Sequence, residues 1–371
     1  MPSHFPDGLP AVLPATVAQI QRRLPIAGDI SVRVGSRVEP DDQIGQTTVT
    51  QSAIFIDVAN TLGIEPQAVP RRLRVKVGQR VAAQQVLAKR GRRKCIAPLG
   101  GTLTTVDQET GFAVVTPEPE TLTLTAAVRG YVADVMPGRS ALIETAAAVI
   151  QGVFGIGGEQ FGVLRLVVTD RNDMITPDMI DARSAYAIII GGAGITAEAL
   201  RKAQEEQVRG VIVGGIDQAE VKAFLGAAEP VDWYAYGTPT FQSPPTPTVL
   251  VTEGFGIHPM AEPIFDLLTR YDRQEAFLDG TTTFELLGRR PRLVIPLPRL
   301  QGGQAPVVSP ELQVGSIVRL VDERHLGMIG RVVMLNDRGQ LASGVRTAVA
   351  TIQISETERV LLPQTAIEVI G

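Results

Sequence analysis

The residues best suited to ligand chemistry are glycines that follow predicted buried strands. Glycine-rich segments occur at residues 191–194, 214–215 and 254–256, each after an apolar run. If the strands are parallel, these segments meet at the carboxyl edge of the sheet, where such sheets bind ligands. Free backbone N–H groups at helix starts there could hold a phosphate. The candidate pocket residues are Gly192, Gly194, Thr196, Gly215, Thr252, Glu253 and His258.

The spacing of these glycines does not match the dinucleotide-binding fingerprint, and no acidic residue at the required distance ends a second strand. The same glycines would also serve close packing of helices on the sheet with no ligand present. Both interpretations stay open at this point.

Catalytic patterns are scarce in the sequence. The three histidines, His4, His258 and His325, lie in different predicted modules and in none of the usual metal-ligand spacings. Glu253 and His258 could form an acid–base pair. The single cysteine, Cys95, excludes an intramolecular disulfide framework and a cysteine-rich metal site. Its neighbour Lys94 could lower the pKa of the thiol, although packing in a core is the commoner role. The sequence predicts no metal and no cofactor and favours binding over catalysis.

A second candidate is a basic stretch, residues 71–94, in a chain whose net charge is −4. It contains ten Lys and Arg residues and no acidic residue. Such a stretch predicts a surface for the phosphates of RNA or for an anionic protein, without DNA specificity. No aromatic residue occurs between Arg71 and Thr110 to stack on a base. The alternative is a solvated strand face and a charged hairpin tip that discourages edge pairing.

Alternation along a strand would put the first three members of this surface on one face. The candidate surface residues are Arg72, Arg74, Lys76, Lys89, Arg90, Arg92, Arg93 and Lys94.

The elements that carry the basic stretch show an internal repeat. Residues 32–38, VRVGSRV, and 75–81, VKVGQRV, agree at five of seven positions. Alternating valines predict half-buried strands, and the glycine allows a tight turn. Residues 130–135 likewise resemble 101–106, and a short helix is expected to end near Gly63.

The pattern V-x-V-G-x-x-V, followed by A-P-x-x-G-x-L at residues 97–103, resembles the barrel-sandwich hybrid fold of biotinyl and lipoyl carrier domains. Similar motifs occur in the largest subunits of bacterial RNA polymerase and in Rnf-type electron-transport subunits. Carriers hold an acceptor lysine at a hairpin tip between Met or acidic neighbours. Lys89 and Lys94 have basic neighbours in a short hairpin, so neither is expected to carry a cofactor.

The central segment alternates predicted strands and helices, which favours a parallel sheet with right-handed crossovers. Thr196 is expected to cap a helix over residues 197–207, and Asp217 to cap a second over 218–225. Further strands are predicted at 233–236, 248–251 and 292–296, and a helix at 260–271. The proline-rich residues 239–248 would form a spacer or a lid.

Toward the carboxyl terminus, short alternating strands with glycine turns predict a small SH3-like barrel. Its series G-S-I-V-R-L, then G-M-I-G-R-V-V at 327–333, resembles the KOW motif of NusG-type transcription factors and some ribosomal proteins. That resemblance implies binding to RNA or to a protein of the ribosome or polymerase. Residues 311–371 contain six Arg and seven acidic residues, which favours a protein partner.

The sequence thus predicts a multi-domain chain of α/β and all-β parts. An extension (1–19) precedes a barrel-sandwich hybrid-like β region (20–170), an α/β domain with a parallel sheet (171–301) and a KOW/SH3-like barrel (308–371). No export signal is seen, and no apolar run approaches the roughly 18 residues that suggest a membrane helix, so a cytoplasmic protein without membrane contact is expected.

Two functions remain in view. The first is a non-enzymatic adaptor that docks through its β modules on protein or RNA assemblies. The alternative is an α/β protein that binds, or acts on, a phosphate-containing small molecule at the glycine-rich segments.

Overall fold

The structure is a computed structural model that describes residues 11–50, 52–226, 246–282, 290–299, 311–322 and 324–370. It is mostly β, with one large mixed sheet and several smaller sheets. The predicted strand 233–236 lies outside the described residues, as does most of the proline-rich segment 239–248.

Strands of the amino-terminal half are β1 (Val12–Arg23), β2 (Asp29–Ile30), β3 (Arg37–Val38), β4 (Gln43–Val49), β5 (Ile54–Asp57), β6 (Arg80–Val81), β7 (Val86–Arg90), β8 (Arg93–Ile96), β9 (Gly101–Val106), β10 (Phe112–Thr116), β11 (Glu120–Thr125), β12 (Gly130–Met136), β13 (Ser140–Gln151), β14 (Phe154–Ile156), β15 (Glu159–Leu166) and β16 (Met174–Ile175). The remaining strands are β17 (Ala187–Ile190), β18 (Gly194–Ile195), β19 (Gly210–Ile216), β20 (Thr248–Phe255), β21 (Glu275–Asp279), β22 (Arg292–Pro296), β23 (Ile317–Leu320), β24 (Ile329–Gln340), β25 (Arg346–Gln353), β26 (Arg359–Pro363) and β27 (Ile367–Val369). The described α-helices are α1 (Val58–Leu62), α2 (Ala197–Glu205), α3 (Gln218–Leu225) and α4 (Glu262–Arg270).

The large sheet has the order β14-β20-β19-β17-β15-β21-β22-β13-β12-β3, and β1 also pairs with β13. Its strands β15, β17, β19 and β20 are mutually parallel, and the other pairings are antiparallel. The expected parallel sheet is therefore the parallel part of a larger mixed sheet. The boundary predicted at residue 20 falls inside β1, and that predicted near 170 does not separate β13 and β15 from the parallel strands.

Helices cover both faces of the parallel strands. On one face, α2 and α3 enclose an apolar core that includes Leu200 and Val221. On the other face, α4 contributes Ile264, Leu267 and Leu268 to a second core. None of the described helices combines the length and apolar character needed to span a bilayer.

The predicted helix starts in this segment are confirmed. The Thr196 hydroxyl accepts a hydrogen bond from Ala199 N at 3.2 Å, and the Asp217 carboxylate accepts one from Ala219 N at 3.0 Å. These bonds satisfy backbone donors that the first helical turn leaves unpaired. The strand predicted at 292–296 is confirmed as β22.

The smaller sheets form the rest of the β region and the carboxyl-terminal module. Near the amino terminus, β5-β10-β9-β6, β11-β4-β2 and the β7–β8 hairpin are separate units. Helix α1 packs beside this hairpin and ends at Gly63 in the left-handed conformation, as expected. In the last module, residues 311–370, the strands follow the order β26-β25-β24-β23-β27.

One type of turn occurs three times in the described residues, and only the first two copies were predicted from the sequence. An exposed valine precedes a glycine with positive φ at Gly35 (85°), Gly78 (85°) and Gly315 (98°). The residue after each glycine donates its N–H to the carbonyl three residues earlier at 3.0–3.1 Å. This geometry is that of a type II turn, whose third position favours glycine because φ is positive. The exposed valines are Val34, Val77 and Val314.

Each turn is bound to a strand in the same way. The turn glycine donates to the carbonyl of a strand residue, and that residue donates back to the carbonyl one position after the glycine, at 2.7–3.0 Å. These strand residues are Val132, Leu103 and Val332. Two residues before each of them is a glycine in close contact with a neighbouring backbone: Gly130, Gly101 and Gly330. One turn-and-strand unit is thus common to the β regions around Gly35 and Gly78 and to the carboxyl-terminal module.

We expect Gly130→Ala to destabilise the fold. The added Cβ would collide with Glu144 O and lie 2.9 Å from Ile143 Cγ2. Overpacking of this kind costs about 1–3 kcal/mol. Denaturant titration should show this loss, whereas Gly100→Ala, whose nearest neighbour would be Val81 O at 3.5 Å, should stay within about 0.5 kcal/mol of the parent. Equal stability of the two variants would contradict the close packing at Gly130.

Candidate functional site

The glycine-rich segments do meet at the carboxyl edge of the parallel strands, but they bond to one another. Gly214 N donates to Gly192 O at 2.8 Å, and Gly215 N to Ala193 O at 3.1 Å. His258 N also donates to Ala193 O, at 3.2 Å. Gly194 itself lies in β18, which pairs with β16. The predicted loops are therefore largely strand ends joined by backbone hydrogen bonds.

These glycines leave little space for a ligand. A Cβ on Gly215 would collide with Gly256 O, and one on Gly214 with His258 O. A Cβ on Gly192 would lie 2.6 Å from Asp173 O. The need for glycine here is explained by the close approach of protein backbone, which is the packing interpretation left open by the sequence.

Glu253 is buried, with 3% of its surface exposed, and its oxygens are bonded to protein groups. Oε1 accepts from Ala261 N at 2.9 Å and from the Thr252 hydroxyl at 3.1 Å. Oε2 forms a short ion pair with Arg319 of the carboxyl-terminal module. His258 Nε2 instead contacts Phe255 O at 2.8 Å. The acid–base pair that the sequence allowed between Glu253 and His258 is not formed, because each group has other partners.

Arg319 joins two acidic residues across the module boundary. Besides Glu253 it binds Glu368, with Nη2 2.7 Å from Oε2 and Nε 3.1 Å from the same oxygen. Only 11% of the Arg319 side chain is exposed, and only 4% of Glu253. We call Glu253, Arg319 and Glu368 the ion cluster. Buried charges require such compensation, since an unpaired charge in an apolar interior is very costly.

The carboxyl-terminal module covers the sheet edge beside the ion cluster. Leu326 is 3% exposed and belongs to the core beneath α2 and α3. Phe255 N donates to Leu326 O at 3.3 Å, and the backbones of Gly254 and Gly327 are in close contact. The edge where an α/β sheet would bind a ligand is thus filled by the chain itself.

Arg319, Glu368 and Leu326 were not predicted as site residues. Arg319 appears in the sequence as one residue of a strand pattern, with no local signal for its partner in β20. Pairing between distant strands and modules depends on the tertiary structure and not on spacing along the chain.

The basic stretch, residues 71–94, is exposed at all ten cationic positions. Within the described residues, only Arg80 among them forms an ion pair, with Glu118. In the β7–β8 hairpin, Lys89 lies directly opposite Lys94, and Arg90 opposite Arg93. Like charges directly opposite on antiparallel strands destabilise the pairing.

The expected common strand face for Arg72, Arg74 and Lys76 is wrong. Pro70–Arg72 is a 3-10 helix, because Pro70 fixes φ and favours the first position of a helical turn. Lys76 lies in the turn before Gly78. A bridge from Leu73 to Ala88, with Arg74 N donating to Leu87 O at 2.8 Å, joins this segment to β7.

Cys95 is buried, opposite Ala88, in the apolar core that the basic stretch shares with α1. Burial raises the pKa of its thiol, as does the negative charge of Asp57, while a hydrogen bond with Thr61 lowers it. The net direction is upward, so Lys94 does not lower this pKa, and the buried thiol fits the packing role that the sequence analysis gave as the commoner one. Lys94 is the neighbour of Cys95 in β8. Because side chains alternate along a strand, the Lys94 side chain points to the opposite face, away from the thiol.

No family model matches the chain, and no curated protein matches it either. Within the described residues, no group of three or more His, Cys, Asp and Glu side chains is arranged to hold a metal ion.

We expect Arg319→Met to destabilise the chain strongly, because it leaves Glu253 buried without its counter-charge. Removing one partner of a buried ion pair typically costs about 3–5 kcal/mol. Adding Glu253→Gln should restore part of that loss, since the amide oxygen can still accept from Ala261 N. Chemical denaturation of the single and double variants measures the recovery. The exposed Arg331→Met serves as control, and a loss no larger than in this control would contradict the ion cluster.

Cys95 should react slowly with iodoacetamide in the folded chain at mildly alkaline pH. A raised pKa leaves little thiolate, and burial blocks access. Mass spectrometry should show rapid modification only after unfolding. Rapid modification of the native chain, at the rate of a free thiol, would show that the thiol is not held in this core.

Proposed function

We propose that the chain is a non-enzymatic modular adaptor, which docks on protein or RNA assemblies of the transcription or translation type through its β modules. The observation that carries this proposal is the closure of the sheet edge by the ion cluster and Leu326. A fold whose ligand edge is filled by its own module, while its charged β surface is exposed, suits contact with large partners. A cytoplasmic location is part of the proposal.

The carboxyl-terminal module is proposed to be an SH3-like barrel of the KOW type. Its strand order supports this, since β27 returns to pair with the first strand β23. Two register shifts interrupt the pairing of the long strand β24 with β25, as expected where a strand bends around a small barrel.

This module has an apolar row suited to a protein partner. The apolar row consists of Met334 and Leu361, which lie on either side of Thr351 on three neighbouring strands. Met334 is 53% exposed and Leu361 is 43% exposed. Apolar side chains at the centre of an interface often supply much of the binding energy.

The amino-terminal β units are proposed to be a barrel-sandwich hybrid without carrier function. The repeated turns at Gly35 and Gly78 support a duplicated β unit. Lys89 and Lys94 lie in a hairpin among basic residues, unlike the acceptor lysine of carrier domains.

The alternative, a phosphate-binding or enzymatic α/β protein, is less well supported by the geometry. It requires free N–H groups and space at the glycine-rich segments. There Gly214, Gly215 and His258 donate their N–H groups to protein carbonyls.

Co-sedimentation with purified ribosomes and with purified RNA polymerase tests the proposal. We expect the full chain to bind one of them at low salt, and Leu361→Asp to weaken that binding at least about tenfold. Val345→Asp is the matched control, since Val345 is 41% exposed but lies outside the apolar row.

A thermal-shift screen with nucleotides and phosphorylated metabolites runs in parallel. Saturable stabilisation by one of these compounds, together with no binding to either assembly, would overturn the adaptor proposal. It would favour the small-molecule alternative.

A further inference from the structure

We propose that the basic hairpin binds the sugar–phosphate backbone of double-stranded RNA without sequence preference. The basic hairpin is defined as residues 86–96, strands β7 and β8 with their connecting turn. This inference rests on the adaptor function and names one partner and one surface for it.

Like charges lie opposite each other on the hairpin. Two like-charge pairs span the two strands of the hairpin, Lys89 with Lys94 and Arg90 with Arg93. The second pair is next to the turn at Gly91 and Arg92. Opposed side chains on antiparallel strands have Cβ atoms about 5 Å apart. No acidic residue forms an ion pair with these five cations in the described part of the chain. Anions that bind between the cations would relieve this repulsion.

One face of the hairpin is held against the end of α1. Arg90 donates to Gly63 O, and also to Leu62 O at 3.4 Å, at the end of α1. Arg93 lies against the same glycine. The face with Arg90 and Arg93 is therefore turned toward α1. Because side chains alternate, Lys89 and Lys94 point to the opposite, open face.

The composition of residues 89–94 indicates the class of partner. Residues 89–94 have no apolar side chain, and the core of a protein–protein interface is usually apolar and depleted in lysine. Ile96 at the base of the hairpin is 42% exposed, but the end of the hairpin, residues 89–94, presents Lys and Arg, which suit phosphates because their binding releases counterions. The charge complementarity therefore favours a nucleic acid over an acidic protein.

The lack of aromatic side chains and the position of α1 indicate the form of the nucleic acid. Single strands are usually held by stacking on aromatic side chains, and none occurs between Arg71 and Thr110. A β-ribbon reads DNA by entering the major groove, but α1 beside Arg90 and Arg93 obstructs such entry. The open face with Lys89 and Lys94 suits contact across the wide, shallow minor groove of A-form RNA, which is recognised through backbone and shape.

Fluorescence anisotropy of the full chain with a labelled RNA duplex tests this inference. We expect Lys89→Gln/Lys94→Gln to weaken binding by about tenfold or more. The slope of log K against log salt should fall by about 2, one for each lysine that contacts a phosphate. The substitution relieves a like-charge pair, so the melting temperature should not fall. The control is Arg331→Gln/Arg359→Gln, two exposed cations in one cross-strand row of the carboxyl-terminal module, and it should bind as the parent does.

Competition with unlabelled single-stranded RNA, a DNA duplex of the same sequence and polyglutamate identifies the partner. The RNA duplex should be the strongest competitor. Stronger competition by any of the others, equal losses in both double variants, or no binding of the RNA duplex would overturn the inference. If the chain still co-sediments with ribosomes or polymerase in that case, the adaptor function stands and only this assignment fails.

Discussion

The buried ion pair between Glu253 and Arg319 is the interaction on which the rest of the structure depends. Glu253 lies near the end of β20, almost without solvent, and its charge would be very costly there without Arg319. Satisfying it requires the carboxyl-terminal module to lie against the parallel strands, which also buries Leu326 in their core. The same arrangement fills the ligand-binding edge of the sheet. One electrostatic requirement thus links module position, stability and the proposed function at the exposed β surfaces.

The other β parts follow a second constraint, a turn with a positive-φ glycine bound to a strand that contains a closely packed glycine. The same bonds occur at Gly35, Gly78 and Gly315, in parts of the chain that otherwise differ. Such a unit fixes backbone geometry through two glycines. In one copy the neighbouring hairpin is cationic, and in another the neighbouring strands show the apolar row of Met334 and Leu361. This division suits modules that share a scaffold and differ in what they contact.

Local features of this fold could be predicted from sequence because their causes are local. Thr196 and Asp217 cap helices because their own side chains accept from backbone N–H groups two or three residues later, and Gly63 ends α1 through its own φ. Features set by distant contacts could not be predicted. Nothing near Arg319 indicates Glu253, and the glycines at 192, 194 and 215 suit backbone packing and phosphate binding equally well. Alternation along a strand does not apply at Lys76, which lies in the turn before Gly78, and the pKa of Cys95 is raised by burial rather than lowered by its neighbour Lys94. The third copy keeps V-G-x-x-V at residues 314–318 but has Leu312 where the other two copies have their first valine.

The most direct test of this account is the hydrogen-exchange rate of the Phe255 amide in the intact chain, measured by NMR. This amide donates across the module boundary to Leu326 O. If the carboxyl-terminal module closes the sheet edge, the Phe255 amide should be strongly protected, because it opens only when the module detaches or unfolds. The Leu320 amide, which donates to Met328 O within the module, is the reference for the folded module itself. Exchange at the rate of a solvent-exposed amide, with Leu320 still protected, would show that the edge is open in solution and would contradict the account.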